Sequence, residues 1–294
     1  MLRVADLITS TAGVATMVMQ ERGLPAKYSL RIDFVKFTNP ALERAALLAG
    51  KLDVGQIDVG AAARLKSKET DVRVIYPALL AYHAIVVPKA GPIQAMKDLK
   101  GRRIGVFSTA SAGTPIVTEL LRQAGVNYAR EVKQHVAPPA ALPELIEGGQ
   151  VDAVETWEPM VSQLLSTGRY RELFNFRQWY RERTGHDLLY VGVIMRGEIV
   201  EKHPDLVRRF VRMYQEANRI AQDPASRAVE RWAEARKITD PRWVALLGER
   251  VRAAIATTYT RAMVEQQKTY LDLLAATGQI EAVPPGLYFL EAAP

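Results

Sequence analysis

KGRRIGVFSTASAGTPIVTELLRQAG, residues Lys100–Gly125, reads as an apolar strand, a hydroxyl-rich turn and an amphipathic helix. The same plan stands near the N-terminus in Leu2–Gly23, LRVADLITSTAGVATMVMQERG. The two turns align as Thr9-Ser10-Thr11-Ala12-Gly13 and Thr109-Ala110-Ser111-Ala112-Gly113, about one hundred residues apart. A second pair falls at about the same offset: Gly50-Lys51-Leu52-Asp53-Val54 and Gly149-Gln150-Val151-Asp152-Ala153, each closing a helix and opening a strand. Two coincident offsets point to duplicated α/β lobes. Chance likeness is the competing explanation, because any two βα units share glycine caps and small-residue turns.

Outward from the turns, the first copy continues in the same style. Strand Leu2–Leu7 is followed by a helix over Val14–Arg22 that ends at Gly23, and Tyr28–Lys36 alternates as a second strand. Pro40 opens a helix through Ala49, Gly50 ends it, and Leu52-Asp53-Val54 starts a further strand. Helix Ala61–Lys68 leads to two apolar strands, Val72–Ala78 and Ala84–Val87, separated by Tyr82 and His83. Pro88, Gly91 and Pro92 break the pattern and mark the expected crossing into the second lobe. There, strand Arg103–Phe107, helix Thr114–Ala124, strand Glu131–His135 and helix Ala140–Glu147 repeat the earlier order.

After a polar loop over Asn175–Asp187, the apolar strand Leu188–Met195 returns the chain to the first lobe. Helices then start at Pro204, Pro224 and Pro241, and a last one covers Thr260–Ala276, an all-helical tail expected to pack on the first lobe. The expected division is 1–87 with 192–294 as lobe one and 88–191 as lobe two. Repeated βα units favour helix-covered, largely parallel sheets.

Composition narrows the function. The chain has 294 residues, 48% hydrophobic and 24% charged, enough for two cores. No apolar run approaches the roughly 18 residues of a membrane span, so a membrane-spanning protein is not expected. The absence of cysteine rules out disulfides, thiolate metal sites and a cysteine nucleophile. The net charge of +7 does not point to nucleic acid, because bases and acids interleave, as in Arg208, Arg209, Arg212, Glu216 and Arg219. His83, His135, His186 and His203 lack metal-ligand spacing, and neither a GxSxG elbow nor a GxxxxGK[ST] loop is present. No catalytic residue, metal or cofactor is expected; a Ser–His pair assembled only in three dimensions remains open.

Ligands of open α/β sheets bind beyond the carboxyl ends of the strands. Two facing lobes would place Thr9–Gly13, Phe37–Asn39 and Gln56–Asp58 opposite Ser108–Thr114, Ala137–Ala140 and Glu155–Glu158. The first side offers Thr9, Ser10, Thr11, Thr38, Asn39 and Gln56. The second offers Ser108, Thr109, Ser111, Thr114, Glu155, Trp157 and Glu158, with Tyr82 and His83 at the crossing. Unpaired N–H groups and hydroxyls at the Ser108–Thr114 helix start suit an anionic head group. Ser111 or Thr109 acting as an N-cap, worth about 1 kcal/mol, is the structural alternative. Trp157 can stack on a flat or cationic solute, or anchor the core. Glu155 and Glu158 read as a catalytic pair or, more ordinarily, as acids serving a helix dipole.

DLKGRRIGV at Asp98–Val106, the Gly-x-x-Asp segments at both offsets, and VDAVETWEP at Val151–Pro159 together resemble the ABC-transporter substrate-binding proteins of the nitrate/sulfonate/taurine family, which includes receptors for the thiamine pyrimidine precursor. The resemblance covers roughly Leu2–Phe210. It implies a bilobed type II periplasmic binding fold: two doubly wound α/β lobes, two crossing strands and a helical C-terminal tail. It also implies capture of a small solute by hinge closure and delivery to an ABC permease in the inner membrane. By that likeness the Thr9–Thr11 turn, the Ser108–Thr114 turn, Trp157 and Glu158 are cleft positions. The solute is expected to be a sulfonate-, carboxylate- or nitrate-like anion, or an aromatic, and the protein a monomer. No export signal precedes Leu2–Leu7, so the expectation is a periplasmic protein if a signal has been removed, and a cytoplasmic one if the sequence is full length. An enzyme on the same scaffold, lyase-like or desulfinase-like without a cysteine nucleophile, or a cytoplasmic ligand sensor, remains the alternative.

Overall fold

The computed structural model describes residues 1–68, 70–109, 111 and 113–290. Ten strands form two sheets: β1 (Leu2–Leu7), β2 (Ile32–Phe37), β3 (Val54–Asp58), β4 (Val72–Leu80), β5 (Ala84–Pro88), β6 (Arg103–Val106), β7 (Lys133–Val136), β8 (Ala153–Thr156), β9 (Tyr170–Asn175) and β10 (Leu189–Arg196). The first sheet has the order β2-β1-β3-β10-β4 and the second β7-β6-β8-β5-β9. In each, three strands run parallel, as helical crossovers require. The inserted strand runs against them: β10, between β3 and β4, and β5, between β8 and β9, are antiparallel to both neighbours, so the outer strands β4 and β9 point the same way as the parallel three. The molecule is thus two α/β lobes that each receive one strand directly from the other.

The duplication has a physical signature. The Arg3 backbone N–H and Nε donate to Asp53 Oδ2 at 2.8 and 3.0 Å, and Nη2 to Oδ1 at 2.6 Å. Arg103 addresses Asp152 through the same atoms at 2.8, 3.2 and 2.8 Å. The return bonds also match, Asp53 N to Arg3 O at 2.9 Å and Asp152 N to Arg103 O at 2.8 Å. The repeated Gly-x-x-Asp segments therefore place an aspartate where it pins the head of each lobe's first strand. Gly50 and Gly149 take the left-handed conformation, φ +66° and +67°, that ends the preceding helix and lets the chain turn toward that aspartate.

Several local expectations are corrected. The second strand starts at Ile32, because Leu24–Lys27 forms a short helix with Pro25 at its start. The expected loop Asn175–Asp187 is instead the end of β9 and a helix, Phe176–Thr184. The Asn175 side chain caps this helix by accepting from Gln178 N at 3.0 Å, Phe176 and Tyr180 are buried one turn apart, and Gly185 closes it. The last helix is two, Arg261–Glu265 and Lys268–Ala276. Between them the buried Gln267 amide accepts from Leu189 N at 3.0 Å, satisfying the start of β10.

The change of sheet falls at Ala81–His83, ahead of Pro88–Pro92, since Ala84–Pro88 already pairs in the second sheet. The return falls between Asn175 and Leu189, so Leu189–Val191 already pair in the first sheet. The two connections run side by side: Ala81 N donates to Leu188 O at 2.8 Å and Phe176 N to His83 O at 3.1 Å.

The helical tail does not pack on the first lobe alone. Helix Pro204–Gln222 lies against helix Gly13–Glu21 and β4, whereas Pro241–Ala254 packs on helix Met160–Ser166 of the second lobe. One apolar core runs from the first sheet through the crossing and into the face of the second sheet carrying Ile85, Val87, Ile104 and Val106. A smaller core with Val86, Leu142, Val154 and Val161 fills the other face of that sheet. Among the described residues no helix is long and apolar enough to cross a membrane.

Candidate functional site

The carboxyl ends of the parallel strands converge on one pocket. Leu7 and Ser10 follow β1; Gln56, Ile57 and Asp58 end β3; Phe107 and Ser108 follow β6; Trp157 follows β8. Tyr82 and His83, on the first connection, and Tyr190, at the start of β10, form its floor. Helix Pro40–Leu48 adds Glu43 and Arg44, and helix Val59–Ser67 adds Arg64. The pocket holds about 690 Å³ of space between protein atoms, part of it open to solvent.

Aromatic rings make one continuous wall. His83 lies 4.2 Å from the Tyr190 centroid, 5.0 Å from Tyr82 and 5.1 Å from Trp157, and Phe107 meets Trp157 edge-on at 5.9 Å. Burial pushes the His83 imidazole down to about 3, so the ring is neutral. Tyr82 and Tyr190 are also raised by burial and stay protonated, and Ser10 hydrogen-bonds the Tyr82 hydroxyl.

The polar side is built by the first lobe. Asp58 caps helix Val59–Ser67 by accepting from Ala61 N at 2.6 Å, and its carboxylate stands 3.8 Å from Arg44 and 3.7 Å from Arg64. Arg64 also donates to Gln279 Oε1 at 2.8 Å. Glu43 is buried; its Oε1 accepts from Gln56 N at 2.5 Å, and burial pushes the carboxyl up to about 8, so that it carries a proton at neutral pH. The Gln56 amide donates to the Tyr214 hydroxyl at 2.8 Å. With Glu43 neutral, two guanidiniums share one carboxylate, and the pocket carries excess positive charge.

Of the residues expected at the cleft, Ser10, Gln56, Tyr82, His83, Ser108, Ser111 and Trp157 line this pocket. Others stand elsewhere. Thr9 is exposed and donates to Thr38 O at 3.2 Å, Thr11 is buried behind the turn, and Asn39 caps helix Pro40–Leu48 by accepting from Ala41 N at 2.7 Å. Thr109 and Thr114 face a separate depression with Tyr128 and Gln134. Ala110 and Ala112 of the second turn lie outside the described residues.

Glu155 is tucked behind Ser111, whose hydroxyl lies 3.4 Å from its Oε1, and burial raises it to about 7. Gly113 is required there: a Cβ on it would fall 1.8 Å from Glu155 Oε1. Glu158 is wholly buried and paired with Arg250 of the tail. The two acids therefore have separate partners, Glu155 beside Ser111 and Glu158 with Arg250. The reading of the sequence missed Glu43, Arg44, Arg64, Phe107 and Tyr190. The two arginines sit mid-helix like any solvated base, and the one available signal for Tyr190 is a lone tyrosine in an aliphatic strand.

Two α/β lobes exchanging strands around a polar and aromatic cleft define a bilobed α/β fold of the periplasmic-binding-protein type. The chain belongs to the NMT1/THI5-like family, whose sequence profile matches residues 11–226. The structure superposes on the periplasmic aliphatic sulphonate-binding protein of Escherichia coli with a TM-score of 0.78 and 18% identity, over 97% of this chain and 95% of that one. The alkanesulfonate-binding protein of Xanthomonas axonopodis pv. citri gives 0.79 and 19%, over 98% and 97%. In sequence, the taurine-binding periplasmic protein of Escherichia coli (strain K12) is 27% identical over 184 residues, 62% of this chain and 54% of that one. A Brucella abortus (strain 2308) relative is 28% identical over 203 residues, 69% of this chain and 61% of its own length. The chain thus matches less than two thirds of the length of either relative.

Proposed function

We propose that this chain is the solute receptor of an ABC-type importer, taking a small anion or aromatic solute between its lobes and delivering it to a membrane permease. The observation that carries the reading is the pocket itself: strand ends from both sheets meet over the paired connections at Ala81–His83 and 176–188. In this reading each sheet with its helices moves as a lobe, and the connections serve as the hinge. Closure is favoured by contacts available only when Trp157 and Phe107 from one lobe and Arg44 and Gln56 from the other touch the solute together. The names of the relatives, taurine-binding and aliphatic sulphonate-binding, support an anionic solute and a periplasmic location. The reading assigns binding and no chemistry to the cleft.

Thermal melting and tryptophan fluorescence with a panel of sulfonates, carboxylates, nitrate and pyrimidines test it. A ligand at about 100 times its Kd should add about 2.7 kcal/mol and raise Tm by several degrees. A panel that moves neither signal would contradict the receptor reading.

A further inference from the structure

Among the described residues, four buried polar atoms on side chains of the pocket lining have no hydrogen-bond partner. They are Glu43 Oε2, Gln56 Oε1, His83 Nδ1 and the Tyr190 hydroxyl, each on a residue more than nine-tenths buried. Buried polar groups are normally satisfied, so their convergence on one cavity points to a ligand that satisfies them.

Each atom restricts that ligand. Gln56 donates its amide N–H to Tyr214, which leaves Oε1 as an acceptor and calls for a donor on the solute. Glu43 already accepts from Gln56 N through Oε1; its other oxygen, protonated at neutral pH, donates to an acceptor. Tyr190 and the neutral His83 can serve either way. Their rings, with Trp157 and Phe107, supply an aromatic wall, whose faces gain most from a flat π-system. Arg44 and Arg64, held at 3.8 and 3.7 Å from the single carboxylate of Asp58, favour a negative substituent at the outer end.

We propose that the solute is a planar aromatic or heteroaromatic acid carrying an N–H or O–H donor on its ring. The ring lies against Trp157 and Tyr190, the donor meets Gln56 Oε1, and the carboxylate or sulfonate meets Arg44 and Arg64. This rests on the receptor reading and narrows it away from aliphatic anions.

Titration calorimetry of the full chain tests it, with amino- and hydroxy-substituted benzoates, benzenesulfonates and pyridinecarboxylates set against benzoate, taurine and methanesulfonate. At least one donor-bearing aromatic acid should bind ten-fold or more tighter than benzoate and than either aliphatic sulfonate. Gln56→Met should abolish the margin over benzoate, and Arg44→Gln should weaken every acid ten-fold or more. Circular dichroism and melting show whether each variant is folded. Preferential binding of taurine or methanesulfonate would overturn the inference and leave the receptor reading standing. Binding of none of these compounds would overturn the inference, and only failure of the broad panel as well would bring down the receptor reading.

Discussion

Arg250, in the helical tail, is ion-paired through Nε with the buried carboxylate of Glu158, on the loop that carries Trp157. Its Nη2 reaches Glu172 of β9 at 2.6 Å, and nearby Trp243 Nε1 donates to Pro159 O at 3.1 Å. The tail thereby holds the second lobe's site loop. Burial raises the Glu158 carboxyl and Arg250 opposes that rise, so the pair stands together or not at all.

Removing one partner leaves the other charge buried. Arg250→Met should therefore destabilise the chain by about 3–5 kcal/mol. Adding Glu158→Gln should recover a large part of that loss. Urea unfolding of the single and double variants checks both; a single variant within 1 kcal/mol of the parent would show that the pair does not hold the loop.

Glu43 gives the stability a pH dependence of defined sign. Its carboxyl, raised to about 8, keeps in the folded chain a proton that the unfolded chain loses above its ordinary value of 4.5. Stability therefore falls as pH rises between those values and is constant beyond them. Glu155, raised to about 7, adds the same sign over a narrower window. His83, pushed down to about 3 from 6.5, acts oppositely: stability is gained as pH rises through that range and is flat above it. From about pH 6.5 to 8 the carboxyls act alone, so the urea midpoint should decline. Glu43→Gln should remove most of the decline, and an unchanged slope in that variant would contradict the assignment.

The duplicated ion pairs differ in exposure, with the Asp53 side chain 8% exposed and that of Asp152 26%. Asp53→Asn should cost about 1.5–3 kcal/mol, as for charge-assisted bonds out of water. Asp152→Asn should cost about 1 kcal/mol or less because solvent screens it. Melting the two variants side by side measures the difference, and equal losses would show that burial does not govern it.

The sequence revealed most where backbone geometry demands particular residues. Gly50 and Gly149, the aspartates after them, and the small-residue turns made the duplication and the strand ends readable, because few residues serve there. The site's charges were not readable in the same way. Arg44 and Arg64 lie in helices where a base usually meets water, and only the fold of β3 brings Asp58 between them. Polarity also hid helix Phe176–Thr184: its many charged residues outweighed the Asn175 cap and the buried Phe176–Tyr180 pair. Packing of the tail on the second lobe depends on Arg250 and Glu158 finding each other across 92 positions, which no local pattern encodes.

The most direct test of solute capture between the lobes is calorimetric titration of whichever panel compound raises Tm most, into the parent, into Arg44→Gln, and into Arg208→Gln on an exposed face of the tail helix. The expected result is a Kd at least ten-fold weaker in Arg44→Gln and unchanged in Arg208→Gln. Equal affinity in all three proteins would place the bound solute outside this pocket and contradict the account.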